Sequence, residues 1–280
     1  MPEIESTQPY LARKKNQDEK LQNEKFSTES LKQCGLILET ERGYIDRFRG
    51  RIMFSIANTN GKVIAFAGRI FQQDHPAKYV NSPETPLFNK SNILFGLDKA
   101  KTEVTDDLPF VLVEGQLDAI RCWTIGLPAI APQGTSITEG QLLLLKRFSE
   151  RVICLLDGDS AGRKAAIRVL PMAWKAGLDI EFYALPEGAD PDDIISEKGI
   201  SFKNEILKDA TGALPFAVHT LLPEPRSAEP REKNRTANAI FELLTHLDSE
   251  LMRMEYLGEL SRLLGIREDI LSIDFKSYQA

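Results

Sequence analysis

From residue 108 onward, short apolar runs alternate with segments whose apolar positions recur every three or four residues. The runs LPFVLVEG (108–115), LPAIAPQG (127–134), RVICLLDGD (151–159) and LDIEFYALP (178–186) predict strands, and the continuous apolar run Val152 to Leu156 reads as a buried strand of a parallel sheet. The segments between and after them predict helices over 116–126, 137–150, 160–177 and 191–199, with Pro171 in the third. Four strand–helix units in succession predict an α/β fold with a mostly parallel, twisted sheet flanked by helices.

The pattern is different on either side of this region. Upstream, Ile52–Ala57 and Val63–Phe71 flank Asn58-Thr59-Asn60-Gly61, which predicts an antiparallel hairpin turning at Asn-Gly. Ser27 to Ser30 supply a cap for a brief helix, LILET reads as a short strand, and residues 91–102 as a short helix near Gly96. This makes 26–105 a small mixed α+β subdomain, 106–200 the α/β domain and 201–280 a helical bundle, reached through the Pro- and charge-rich linker at 223–233. In the bundle, Leu251, Met254, Leu257, Leu260 and Leu264 form the expected core stripe, with Asp248-Ser249 as a cap and Gly265 as a stop. Residues 1–25 lack apolar periodicity and read as a disordered tail or frayed helix.

Composition narrows the classes. The 280 residues carry a net charge of −6, yet Arg42, Arg47, Arg49, Arg51, Lys62, Arg69 and Lys78 outnumber Glu41, Asp46 and Asp74 by four within 41–80. A basic patch on an acidic chain suits an anionic partner that touches one face. No apolar run has the length of a membrane span and the first residues lack a signal-peptide pattern, so a cytoplasmic protein is expected. Cys34, Cys122 and Cys154 form no CxxC pair, which argues against a zinc site or a disulfide framework. Walker, Rossmann and HExxH motifs are absent.

Candidate chemistry lies at strand ends. Glu114 ends the first buried run with Asp118 one turn later, Asp157 and Asp159 end the third, and Asp190 and Asp192 follow the fourth. Ligands of parallel sheets bind beyond the carboxyl ends of the strands, so these six carboxylates are expected on one edge. There they would repel one another unless divalent cations neutralised them. For an isolated DxD, a solvated turn capping the next helix is the alternative. Upstream, the loop at 72–90 mixes Lys78 and Lys90 with Tyr79 and Phe88, which reads either as a solvent loop pinned by two aromatics or as a pairing suited to phosphates and stacked bases.

With these residues in place, the chain resembles the catalytic core of bacterial DNA primase. VEGQLD is similar to that family's EGxxD motif, LLDGDSAGRKAA to DGDxAGxxAA and ADPDDII to DPD, which together mark the Toprim fold. RFRGRIMFSI, AGRIF and AKYVNSPETPLFNKSNILFGLDKA resemble the basic RNA-polymerase block that precedes it. The resemblance runs from about 26 to 272. It implies template-dependent synthesis of short RNA primers by nucleotidyl transfer, with two or more Mg²⁺ or Mn²⁺ ions and no zinc in this chain. Glu114, Asp118, Asp157 and Asp159 would be catalytic, and Glu114, Asp157, Asp159, Asp190 and Asp192 metal ligands. Arg47, Arg49, Arg51, Arg69, Lys78, Tyr79, Asn81 and Lys90 would line the path of single-stranded DNA and ribonucleoside triphosphates. A zinc-ribbon module and a helicase-binding domain are expected to be missing. A monomer is expected, with the replicative helicase or a separate zinc-module chain as partner. Another Toprim activity, such as a nuclease, and a non-catalytic DNA- or partner-binding fragment are the rival readings.

Overall fold

The computed structural model describes residues 26–279 except 72–76, 135, 157 and 159. The expected tail therefore lies outside the described residues. Two compact units divide the chain between Ile93 and Leu94.

The first unit opens with α1 (Thr28–Gln33), whose N-cap Ser27 accepts a hydrogen bond from Ser30 N. A two-stranded antiparallel ribbon follows, β1 (Ile37–Thr40) and β2 (Gly43–Asp46). Then β3 (Arg51–Ala57), β4 (Val63–Ile70) and the short β5 (Tyr79–Asn81) form an antiparallel sheet in that order. The β3–β4 turn is shaped by Asn58, whose Oδ1 accepts from Asn60 N at 2.9 Å and Lys62 N at 3.1 Å. Gly61 there adopts φ 77°, a value that side chains resist. Ile56, Ala65, Ala67 and Phe88 make the small core of this unit.

The second unit begins earlier than the sequence pattern placed it. Leu94, and Leu97 and Ala100 of α2 (Leu97–Glu103), belong to its core. Phe95 bridges Ala131 through both backbone groups, at 2.8 and 3.2 Å. That bridge and the left-handed Gly96 (φ 80°) delay the helix expected from residue 91, leaving a single 3₁₀ turn at Lys90–Asn92 before it.

The predicted strand–helix units are all present: β6 (Phe110–Leu112), α3 (Gln116–Trp123), β7 (Ala129–Ile130), α4 (Glu139–Lys146), β8 (Arg151–Leu156), α5 (Ser160–Lys175), β9 (Asp179–Ala184) and α6 (Pro191–Lys198). The sheet runs β9-β8-β6-β7 in parallel, with β10 (Thr211–Gly212) antiparallel at its edge beside β9. Phe110, Val111, Val152 and Leu155 are fully buried, as continuous apolar runs in a covered parallel sheet require. Cys122 and Cys154 are buried among them, and desolvation, followed by the Asp118 carboxylate, pushes the Cys122 thiol up to about 12.

The remaining helices are α7 (Ser201–Asp209), α8 (Ala213–Leu221), α9 (Pro230–Leu244), α10 (Glu250–Leu264) and α11 (Glu268–Gln279). Of these, α8 to α11 share one core with the sheet, in which the Phe182 and Phe216 rings stack at 4.3 Å. The expected stripe of α10 is only half buried. Leu257, Leu260 and Leu264 are inside, whereas Leu251 is 72% and Met254 42% exposed, because the core partners of α10 cover only its later turns. Among the described residues, no helix is long and apolar enough to cross a membrane.

Candidate metal centre and nucleic-acid face

The carboxyl edge of the second unit's sheet is set by register. Leu112 of β6 lies opposite Cys154 of β8, and Leu156 of β8 opposite Ala184 of β9. The three strands that lead to the predicted acidic motifs are therefore immediate neighbours. Glu114 follows β6, is exposed, and lines a cleft of about 370 Å³ together with Pro132, Gly134, Ser136, Arg168 and Met172. Asp118 sits one turn into α3, where its Oδ2 accepts from Gly115 N at 3.0 Å and fixes the turn that carries Glu114. Such capping is worth about 1 kcal/mol.

Asp157 and Asp159 lie outside the described residues. Gly158 between them is buried and donates its N–H to Ala189 O at 3.2 Å. A Cβ at Gly158 would stand 2.0 Å from Pro186 O and 2.9 Å from Leu185 O, so only glycine lets this turn lie against the loop after β9. That loop ends on Asp190, the N-cap of α6, whose Oδ1 accepts from Asp193 N at 2.9 Å.

Asp192 is engaged differently from the sequence expectation. Its carboxylate accepts from Arg121 Nε at 2.5 Å, and Arg121 Nη2 also donates to Ser196 Oγ at 2.6 Å. The pair ties α6 to α3. With side-chain exposures of 37% and 60%, it contributes at most about 1 kcal/mol. Asp192 is thus an ion-pair partner in this structure, and Arg121 is a residue that sequence reasoning passed over. Its place on the helix predicted over 116–126 was the one signal for it. Among the described residues, no three His, Cys, Asp or Glu side chains group as a metal cluster.

The predicted basic residues divide into two kinds. Arg49 and Lys78 are exposed, and Lys90 is half-buried. The Arg69 guanidinium lies 5.7 Å from the centroid of the Tyr79 ring, a cation–π spacing, and Tyr79 is 41% exposed. Arg47 is half-buried and its Nε donates to Asn81 O at 3.3 Å. Arg51 departs from expectation. It is 8% exposed and its guanidinium donates to Gly68 O at 3.1 Å, Ala77 O at 2.9 Å and Lys78 O at 3.3 Å, so it cannot double as a phosphate contact. Desolvation lowers the pKa of both Arg47 and Arg51.

Asp46, not singled out from the sequence, anchors the same turn. Its Oδ1 accepts from Phe48 N at 2.8 Å while Oδ2 is buried without a hydrogen-bond partner. Desolvation raises its pKa, against the opposing pull of the Phe48 N–H and the Arg49 charge.

Comparison with known proteins adds three family matches: the N-terminal domain of the DNA primase catalytic core over residues 8–101, a Toprim-like domain over 111–195, and the DnaB-helicase binding domain of primase over 216–269. The third overturns the expectation that a helicase-binding part is missing. The DNA primase of Escherichia coli K12 is 35% identical over 246 residues, covering 86% of this chain and 42% of that protein. The chain therefore spans less than half the length of this relative. The solved DnaG catalytic core is 35% identical with a TM-score of 0.74, covering 87% of this chain and 79% of that one. A DnaG catalytic domain solved with single-stranded DNA is 33% identical with a TM-score of 0.75, covering 88% and 81%.

Proposed function

The chain belongs to the DnaG-type DNA primase family, and we propose that it synthesises short RNA primers on single-stranded DNA from ribonucleoside triphosphates. The observation that carries this reading is the adjacency of β6, β8 and β9, whose carboxyl ends lead to Glu114, Asp157-Gly158-Asp159 and Asp190. The donors at this edge are all carboxylate oxygens, which suit hard divalent cations such as Mg²⁺ or Mn²⁺ and not zinc. Bound there, two such ions supply Lewis acidity for nucleotidyl transfer.

The chain's own residues provide the rest. Glu114, Asp157, Asp159 and Asp190 hold the ions, and Asp118 keeps the Glu114 turn in place. Asp192 serves through its pair with Arg121. In the first unit, Arg49, Arg69, Lys78 and Lys90 contact phosphates, and the Tyr79 ring, against which Arg69 lies, offers a stacking face for a base. Residues 216–269 are the segment through which a replicative helicase would bind, on the strength of the family match there.

A primer-synthesis assay on single-stranded DNA, with ribonucleotides and Mg²⁺ or Mn²⁺, tests the reading. Asp157→Ala is expected to abolish synthesis while the circular dichroism spectrum stays that of the wild type. Full activity in that variant would remove the site assignment. Cleavage of the DNA without ribonucleotides would instead favour a nuclease.

A further inference from the structure

We propose that Arg51 is a positioning residue whose buried guanidinium clamps the backbone of β5, and thereby sets how Lys78 and Tyr79 meet their ligand. The inference rests on the reading of this face as the one that takes template or nucleotide. It concerns a residue that the sequence counted among the direct contacts.

The geometry argues against direct contact. All three acceptors of the guanidinium are backbone oxygens, one on β4 and two on the stretch entering β5. Only the planar fork of an arginine can serve acceptors spread across two segments in this way; an ammonium is a single point. The side chain starts on β3 and crosses β4 to reach β5. Gly68 of β4 makes the crossing possible, since a Cβ there would sit 2.9 Å from Arg51 Cδ and 2.9 Å from Phe48 Cδ1.

The strand it holds needs holding. β5 is three residues long and, among the described residues, lies at the edge of its sheet, pairing with β4 through Asn81, Val80 and Tyr79. So short a strand at a sheet edge has little stability of its own. The Lys78 carbonyl accepts from both Ile70 N and Arg51, and at the other end of the strand Asn81 O accepts from Arg47. Arginine side chains therefore hold β5 at both ends, leaving the Lys78 and Tyr79 side chains exposed between them. Sequence motifs of this kind read as cationic contact surfaces, but here two of the arginines act inward on the backbone.

Binding of a fluorescently labelled single-stranded DNA oligonucleotide to the whole chain, followed by anisotropy, tests this. Lys78→Ala combined with Tyr79→Ala sets the reference loss, expected to be about ten-fold. Arg51→Lys keeps the charge but not the fork, and is expected to lose about as much as the reference. Added to the Lys78/Tyr79 variant, it is expected to cause no further loss. Gly68→Ala changes no charge and is expected to weaken binding in the same direction by pushing on the Arg51 stem. If Arg51→Lys does not fold at the assay temperature, Gly68→Ala decides. Wild-type affinity in the folded variants overturns the clamp, as does a full additive loss in the combined one. If the wild-type chain itself fails to bind, the functional reading falls instead.

Discussion

Gly158 shows how much of the candidate centre rests on the absence of one methyl group. Its backbone lies against the carbonyls of Leu185 and Pro186, and neither can retreat without shifting the exit of β9. Gly158→Ala is expected to cost about 1–3 kcal/mol by overpacking and to remove most primer synthesis, because the acidic turn and the Asp190 loop would be forced apart. Urea unfolding and the primer assay measure the two effects, and a variant of wild-type stability and rate would show that the close approach is dispensable. The glycine was legible in the sequence only as punctuation between two aspartates. The fates of the charged residues were less legible still. Arg49 and Arg51 are two positions apart in one motif, but one is exposed and the other buried under three carbonyl contacts. Sequence records a charge but not whether a backbone carbonyl will claim it. Asp192, drawn to an arginine on another helix, makes the same point from the acidic side.

At the scale of elements, the reading succeeded where burial was two-sided. β6 and β8 are covered on both faces, so their runs are continuously apolar and their ends abrupt, whereas β9 alternates, with Ile180 and Phe182 buried between more exposed neighbours. The β1–β2 ribbon left a weaker trace: Leu38, Tyr44 and Ile45 are exposed, and a ribbon wet on both faces has no alternation to detect. The α10 stripe failed for a related reason. Periodicity identifies the apolar face of a helix but not which turns a neighbour covers. Leu260→Ala, at a fully buried position, is therefore expected to cost about 2–5 kcal/mol. Leu251→Ala, at 72% exposure, should stay within about 0.5 kcal/mol of wild type. Chemical denaturation of both variants checks this, and equal losses would mean that the first turns of α10 are covered after all. The exposed Leu251, Met252 and Met254 fall inside the segment matched by the helicase-binding family.

For the whole molecule the governing fact is the contrast between a net charge of −6 and a local excess of four positive charges within residues 41–80. A chain of this balance cannot hold DNA through bulk attraction, so binding should come from a few defined cations. With Arg51 turned inward and Arg47 engaged with Asn81, the candidates are Arg49, Arg69, Lys78 and Lys90. Each phosphate neutralised on a single strand contributes about −0.7 to the slope of log affinity against log salt, so four contacts give a slope of about −3. Anisotropy titrations between low and moderate salt measure that slope directly. Replacing Arg49 by Ala should flatten it by about 0.7, whereas a residue that acts through backbone, such as Arg51, has no slope of its own once Lys78 is gone. A slope much steeper than −3 would require cations beyond these four and would break the division into outward contacts and inward clamps on which the nucleic-acid face depends.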